Sequence, residues 1–395
     1  MEVMSGVKNI LRIMSGNGPM GYMPILLISV LTALLTVTTG LAVIEFWEEK
    51  STRFLAIKDL NVIITVYLFS AEYAFYSDKI QVLIDIIDED LPKAALYDVG
   101  GHSRNDDTGR SEMEEEVKER QRLTRTYQDE RQRIHANLSF ALKIIVGNLS
   151  AAPLLLGLVR RATWPQRPWD IHLPLELSLP AAWSTFHVYV LFYILHVVFY
   201  VSGLLNTYCL FTSVNLAAHR VCYELKMLCL AVTSAASAAK PDPVFLANVV
   251  AHHQKICRTV ELINQNCNFS VTISNQCIGI QICLYLYMTV EGDSIGLQIV
   301  SLANFCFVVF IIFLYCDGGQ SIINENVLLR DSLAQCPWPG KPFWLRRTIL
   351  FMLTRATPEL KVKPFGLYIL NLSTFKSVLN ASYTFFNVMR TISRQ

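Results

Sequence analysis

An all-α integral membrane fold with seven transmembrane helices is what this sequence predicts, and three observations carry the prediction. Runs of about 20 apolar residues, the length that crosses a bilayer, recur seven times along the 395 residues. Charged residues make up only 17% of the chain against 52% hydrophobic, where a soluble domain carries about a quarter charged. Lys and Arg alternate between dense and sparse on successive connections, the asymmetry that fixes orientation in a bilayer.

The spans fall near residues 22–46, 58–77, 136–159, 185–213, 267–290, 294–316 and 365–389. The first is too long for the core of a signal peptide and has no convincing cleavage site, so it is kept as a span. The second is polar at its edges, and the fifth and seventh carry several Ser, Asn and Thr. The apolar stretch Trp344–Leu353 is too short to span and is flanked by Arg346, Arg347 and Arg355, which predicts a cytosolic or interfacial helix.

Orientation follows from the basic residues. With the N-terminus, 78–135, 214–266 and 317–364 on one side, that side holds 24 of the 34 Lys and Arg and the other side 8. The N-terminus is therefore expected in the cytosol and the C-terminus outside. Trp47, Trp164, Trp169 and Trp183 flank the predicted outer ends, as interfacial anchors do. All ten cysteines lie between Cys209 and Cys336, in spans or inner loops, which leaves no extracellular disulfide to form and no zinc spacing. The sequons at Asn137, Asn148, Asn268, Asn371 and Asn380 fall in or beside apolar runs and are read as chance matches.

Several function classes drop out. A net charge of +2 gives no basic surplus for neutralising phosphates, so no nucleic acid is expected as a partner. The motifs of P-loop, dinucleotide-binding, zinc-protease and serine-hydrolase sites are missing. His252 and His253 are neighbours on a helix, about 100° apart, and cannot chelate one metal unaided. No catalysis, no metal and no cofactor is expected. Residues 111–133 are charged, with Glu114–Lys118 and Glu116–Arg120 at i,i+4, which supports an exposed cytosolic helix running into the third span. Glu72 and Lys143 sit at similar depth inside their spans, where an ion pair or snorkelling is a simpler reading than an ion relay.

The last span is the informative one. Ser373, Ser377, Asn380, Thr384 and Asn387 recur at spacings of 4, 3, 4 and 3 and share one face, with Lys376 and Tyr383 on its flank and Phe386 and Arg390 adjoining. A straight helix with one wet face suits an aqueous pore or a polar contact inside a bundle. A pore built this way needs several copies around an axis.

The C-terminal third resembles the insect odorant receptor family. The residues that carry the likeness are Gly318-Gly319-Gln320 through Glu325-Asn326, then Cys336-Pro337-Trp338, Arg346-Arg347, Leu350, Leu353 and Lys363-Pro364-Phe365-Gly366. They end in Leu370-x-Leu372-Ser373-Thr374-Phe375 and Ser382-Tyr383-Thr384-Phe385-Phe386-Asn387-Val388-Met389-Arg390. Fainter matches lie at Leu246–Glu261 and between Leu173-Pro174 and Trp183. The sister gustatory receptors end in a Gln-Phe motif that is missing here.

The resemblance implies a subunit of an odorant-gated, non-selective cation channel in the plasma membrane of olfactory sensory neurons. It would be a ligand-tuned subunit working with co-receptor subunits in a heterotetramer among membrane lipids, the last helix lining the pore at the axis. The division is then a cytosolic N-terminus (1–21), six transmembrane helices with a ligand pocket in their outer half (22–316), a cytosolic anchor region (317–364, with a short helix at 341–355) and the pore helix (365–390). A small volatile odorant would meet Ile64, Tyr67 and Leu68 of the second span and Asn148, Ala152 and Leu155 of the third. Phe186, Tyr189, Tyr193 and His196 come from the fourth, and Leu284, Tyr285 and Met288 from the fifth; an apolar ligand wants such an aromatic wall with few polar groups. Lys376, Asn380, Tyr383, Phe386, Asn387 and Arg390 are the expected pore-lining residues, Phe386 and Arg390 standing at the gate. The alternatives are a gustatory-type channel, a seven-span metabotropic receptor and a transporter. The charge asymmetry and the lack of Asp-Arg-Tyr and Asn-Pro-x-x-Tyr motifs oppose the metabotropic reading; internal repeats, which a transporter would want, are not evident.

Overall fold

In a computed structural model of the chain, the described residues are 23–45, 50–75, 77–89, 107–163, 186–237, 242–293, 295–336 and 340–394, and among them helix follows helix with no strand. The helices are α1 (Met23–Glu45), α2 (Lys50–Phe75), α3 (Ser77–Asp88), α4 (Asp107–Thr163), α5 (Phe186–Ser237), α6 (Pro243–Glu291), α7 (Ile295–Gln335), α8 (Phe343–Ala356) and α9 (Leu372–Arg394). A 3-10 turn, Pro364–Gly366, precedes α9. Four helices are long and apolar enough to cross a membrane within Arg53–Glu72, Val190–Ala235, Pro243–Glu291 and Ile295–Gln335, and Ser29–Glu45 is a shorter apolar helix.

The middle helices are far longer than a bilayer requires. At 1.5 Å per residue, the 57 residues of α4 run about 86 Å and the 52 of α5 about 78 Å, against a hydrocarbon core of about 30 Å. The expected inner loop 214–266 is therefore not a loop. Helix α5 continues to Ser237 and α6 starts at Pro243. That start is written locally: Pro243 occupies the first turn, where its missing N–H costs nothing, and the Asp242 side chain accepts from the Val244 N–H at 2.9 Å. The same holds after the sixth span, where α7 carries on to Gln335, and the short cytosolic helix expected at 341–355 is α8.

The large core lies among these extensions. Leu210, Val221, Leu228, Ile256, Ile322 and Leu329 of α5, α6 and α7 belong to one buried cluster, which Leu345 and Met352 of α8 join. Asn326, in the motif after the sixth span, donates from Nδ2 to the carbonyl of Ala356 at 3.1 Å and so closes the C-terminus of α8. His252 and His253 are both buried there. Desolvation lowers both imidazoles, that of His253 from its ordinary 6.5 to about 4.

A proton-poor folded state has a defined consequence. A histidine depressed on folding binds protons more readily unfolded, so stability is lost as pH falls from about 6.5 towards 4. The apparent Tm of the purified chain should drop between pH 7.5 and pH 5.5, and His253→Gln should flatten that drop. A Tm equally pH-dependent in the variant would rule out His253 as its source.

Candidate ligand pocket and pore helix

Three polar ties fix α2 inside the bundle. Asn61 Nδ2 donates to the carbonyl of Cys277 at 3.2 Å, Ser270 Oγ donates to Glu72 Oε1 at 2.5 Å, and Asn206 Nδ2 donates to Ser70 Oγ at 3.0 Å. The first two hold α6 and the third holds α5. Glu72 is thus satisfied by Ser270, while Lys143 is exposed on α4; the ion pair weighed for these two is replaced by a hydrogen bond. Close approach of α5 to α2 depends on Gly203, where a Cβ would stand 2.3 Å from Val66 Cγ2. Around this contact Leu31, Leu35, Ile63, Val66, Phe199 and Tyr200 form a small core between α1, α2 and α5.

The structure distributes the expected ligand residues unevenly. Tyr193 and His196 are buried on α5, His196 completely. On α6, Leu284 and Met288 are buried and Tyr285 is half-buried. On α2, Leu68 is half-buried, but Ile64 and Tyr67 are exposed at 44% and 41%, because Ile63 and Val66 take the face towards α5. Leu284 and Met288 pack with Phe54, Cys283, Tyr287 and Phe386 in a cluster shared by α2, α6 and α9. They belong to the seam with the last helix, not to the face that carries His196. Asn148, Ala152, Leu155, Phe186 and Tyr189 lie outside the residues whose side chains are described.

Helix α9 has two distinct sides. Ser373, Lys376, Ser377, Asn380, Tyr383, Thr384 and Asn387 are exposed. The opposite side is fastened to α6 and α7: Phe375 meets Phe313 edge-on with ring centroids 5.7 Å apart, and Ser382 Oγ donates to the carbonyl of Gly279 at 2.9 Å. Phe386 departs from the expectation. It follows Ser382 by one turn and therefore shares the packed side, 5% exposed. Arg390 lies at the border of the two sides, and its Nε donates to Glu291 Oε1 at 2.7 Å. The expected gate pair is thus a packing residue and an ion-paired one in the single chain.

The root of α9 shows residues that sequence reasoning passed over. Asn264 Oδ1 accepts from Lys363 N at 2.7 Å while its Nδ2 donates to the Lys361 carbonyl at 3.0 Å, and Asn268 Oδ1 accepts from Phe365 N at 2.8 Å. Asn371 Oδ1 accepts from Thr374 N at 2.9 Å and caps α9. These clamps hold a turn in which Phe365 (φ 48°) and Gly366 (φ 72°) are left-handed. Two of the three are sequon asparagines, and the signal that marked them was their polarity inside apolar surroundings. Among the described residues no group of three His, Cys, Asp or Glu could hold a metal.

The model of the family described as 7tm Odorant receptor matches residues 108–383. Odorant receptor 10 of Aedes albopictus is 23% identical over 147 residues, 36% of this chain, and Odorant receptor 49a of Drosophila melanogaster is 25% identical over 155 residues, 38% of this chain. The chain spans 38% of the length of each of these relatives. Among solved structures, the insect olfactory receptor OR5 from Machilis hrabei in complex with eugenol superposes with a TM-score of 0.75 at 16% identity, covering 98% of this chain and 97% of that one. The same receptor in a second structure gives 0.71. At that identity the likeness is one of fold.

Proposed function

The chain belongs to the insect odorant receptor family, a multi-pass membrane receptor and not an enzyme, and from that premise we propose that it is the ligand-tuned subunit of an odorant-gated, non-selective cation channel. The observation that carries the reading is α9, one face polar and exposed, the other bound to α6 and α7. Such a helix is complete on its packed side and wants water on the other, which a central pore provides. In this proposal the chain spans the membrane seven times, through α1, α2, α4, α5, α6, α7 and α9, with the N-terminus in the cytosol of an olfactory neuron and the C-terminus outside. The cytosolic ends of α4–α7 with α8 form the anchor, and co-receptor subunits complete a tetramer around the pore.

The Machilis hrabei receptor is seen with eugenol; the corresponding proposal here is a small volatile ligand held in the outer half of the bundle, near Tyr193, His196 and Tyr285. The pore wall would comprise Lys376, Asn380, Tyr383 and Asn387, with Arg390 at the mouth and Phe386 packed behind it. Co-expression with the co-receptor should give odorant-evoked cation current, and an antibody should reach a C-terminal tag, not an N-terminal one, on intact cells. Reversed labelling would remove the inverted topology; ligand responses that need a G protein would restore the metabotropic alternative.

Charge at the mouth supplies a second test. Arg390 and Glu291 neutralise each other, so removing one exposes the other to permeating ions. Arg390→Gln should raise cation conductance at low ionic strength, Glu291→Gln should lower it, and the double variant should return close to wild type. Equal conductance in all four channels would place the pair away from the ion path.

A further inference from the structure

His196 has a surrounding that its packing does not explain. Its side chain is 0% exposed, and neither Nδ1 nor Nε2 has a hydrogen-bond partner. It lies on one face of α5 with Phe192, Phe199, Gly203 and Asn206, at spacings of 4, 3, 4 and 3, and the Phe192 ring centroid is 6.4 Å away. Further along that face Gly203 seats Val66 and Asn206 binds Ser70, so α5 is held firmly against α2 about two and three turns below His196. One turn beyond His196, the Tyr200 hydroxyl reaches the buried Asp59 carboxylate. Tyr200 is served and His196 is not. Native interiors leave few buried polar groups without a partner, because each such group forfeits its hydration for nothing. A histidine retained in this position purely for packing would be inferior to phenylalanine or leucine.

We propose that His196 is a specificity-determining residue that hydrogen-bonds the ligand, and that this receptor is tuned to hydroxyl-bearing volatiles, alcohols or phenols, over the hydrocarbons of the same skeleton. The inference rests on the channel reading above and adds the ligand's chemistry to it. A neutral imidazole offers one donor and one acceptor. A ketone or ester can serve only the N–H, and a hydrocarbon serves neither nitrogen. A hydroxyl serves whichever nitrogen it meets, in either tautomer. The Phe192 ring beside it, with centroids 6.4 Å apart, offers the hydrocarbon part an aromatic neighbour.

The test uses the full chain with its co-receptor and two matched pairs of probes, 1-octanol with octane and 4-ethylphenol with ethylbenzene. Each hydroxyl probe should act at a concentration roughly 10- to 100-fold lower than its hydrocarbon partner, the span one buried hydrogen bond provides. His196→Phe should shrink that preference to within about threefold by raising the hydroxyl EC50, while His196→Gln keeps most of it. A second readout separates recognition from folding: without ligand, His196→Phe should raise the apparent Tm of the purified chain, since it replaces an unpartnered polar group by an apolar one. An unchanged preference in His196→Phe overturns the proposal, as does a lowered Tm with all four probes shifted equally, the mark of a core residue. Silence to these probes while other volatiles evoke current overturns the hydroxyl assignment alone. Silence to every volatile from a channel present at the cell surface removes the odorant-gated reading itself.

Discussion

Replacing Glu224 by alanine should cost the chain about 3–5 kcal/mol and most of its surface expression, because it strands a buried guanidinium. Arg220 and Glu224 face each other one turn apart on the C-terminal part of α5, Nε to Oε1 at 2.7 Å, with side chains 2% and 4% exposed. Arg220 also lies over Tyr223, its Cζ 5.9 Å from the ring centroid, and Tyr223 stacks on Tyr127 of α4 at 4.7 Å. Thr124 shares a hydrogen bond with the Tyr223 hydroxyl at 3.0 Å. One ion pair therefore sits beneath the joint between the two longest helices. The pair itself need not be strongly stabilising, since desolvating both charges offsets much of their attraction. Breaking it is a different matter, and the loss rivals the 5–15 kcal/mol by which a folded protein typically exceeds its unfolded state. Size-exclusion profiles and surface biotinylation of Glu224→Ala and Glu224→Gln give the measurement. The double variant Arg220→Met/Glu224→Leu should recover much of the loss. If it stays as defective as the single variants, the stranded charge is not the cause.

Hydropathy makes the membrane class legible, whereas the helical stretches over 214–237, 243–266 and 317–335 lie outside any bilayer-length apolar run. Residues 214–266 carry Arg220, Glu224, Lys226 and the His pair, and a window tuned to bilayer hydropathy ends where such residues begin. A better signal was available in the prolines. Between Pro180 and Pro337 the only ones are Pro241 and Pro243, and the break between α5 and α6 falls there. On α9 the polar stripe at 373, 377, 380, 384 and 387 shares one face by its spacing, and in the single chain that face is exposed. Phe386 is expected at the gate only through the likeness to the family's terminal motif; in the single chain it packs one turn after Ser382. Which of Ile63 and Ile64 turns to α5 is decided by Gly203 letting Val66 in, a contact between residues 137 positions apart that no local pattern contains. Asn268 stands out as a polar residue in an apolar run, but the partners of Asn264 and Asn268 are backbone groups of a turn far along the chain.

That turn makes Gly319→Ala the substitution expected to disturb the last helix most. A Cβ at Gly319 of α7 would stand 2.0 Å from the carbonyl oxygen of Leu370 and 2.9 Å from its carbonyl carbon. Both are backbone atoms, so no rotamer change relieves the clash, and the segment leading into α9 must move by more than 1 Å to reach ordinary contact near 3.5 Å. The segment has little freedom to do so. Leu370 N donates to the Val362 carbonyl at 2.9 Å, and the left-handed turn at Phe365 and Gly366 is fixed by Asn264 and Asn268. The neighbouring Gly318 is a built-in control: its Cβ would meet Asn215 Oδ1 at 3.3 Å, a side-chain atom that can shift, and Ala218 Cβ at 3.5 Å, an ordinary contact. Gly319→Ala should therefore cost about 1–3 kcal/mol or more and reduce ligand-evoked current at least tenfold at matched surface expression, whereas Gly318→Ala should stay within about twofold of wild type. The effect runs through α9, because the displaced carbonyl lies two residues before that helix begins. Current per surface channel, measured for both variants, decides it: equal losses at Gly318 and Gly319 would trace the defect to α7 packing in general, and no loss at Gly319 would mean that α9 does not need this close approach to work.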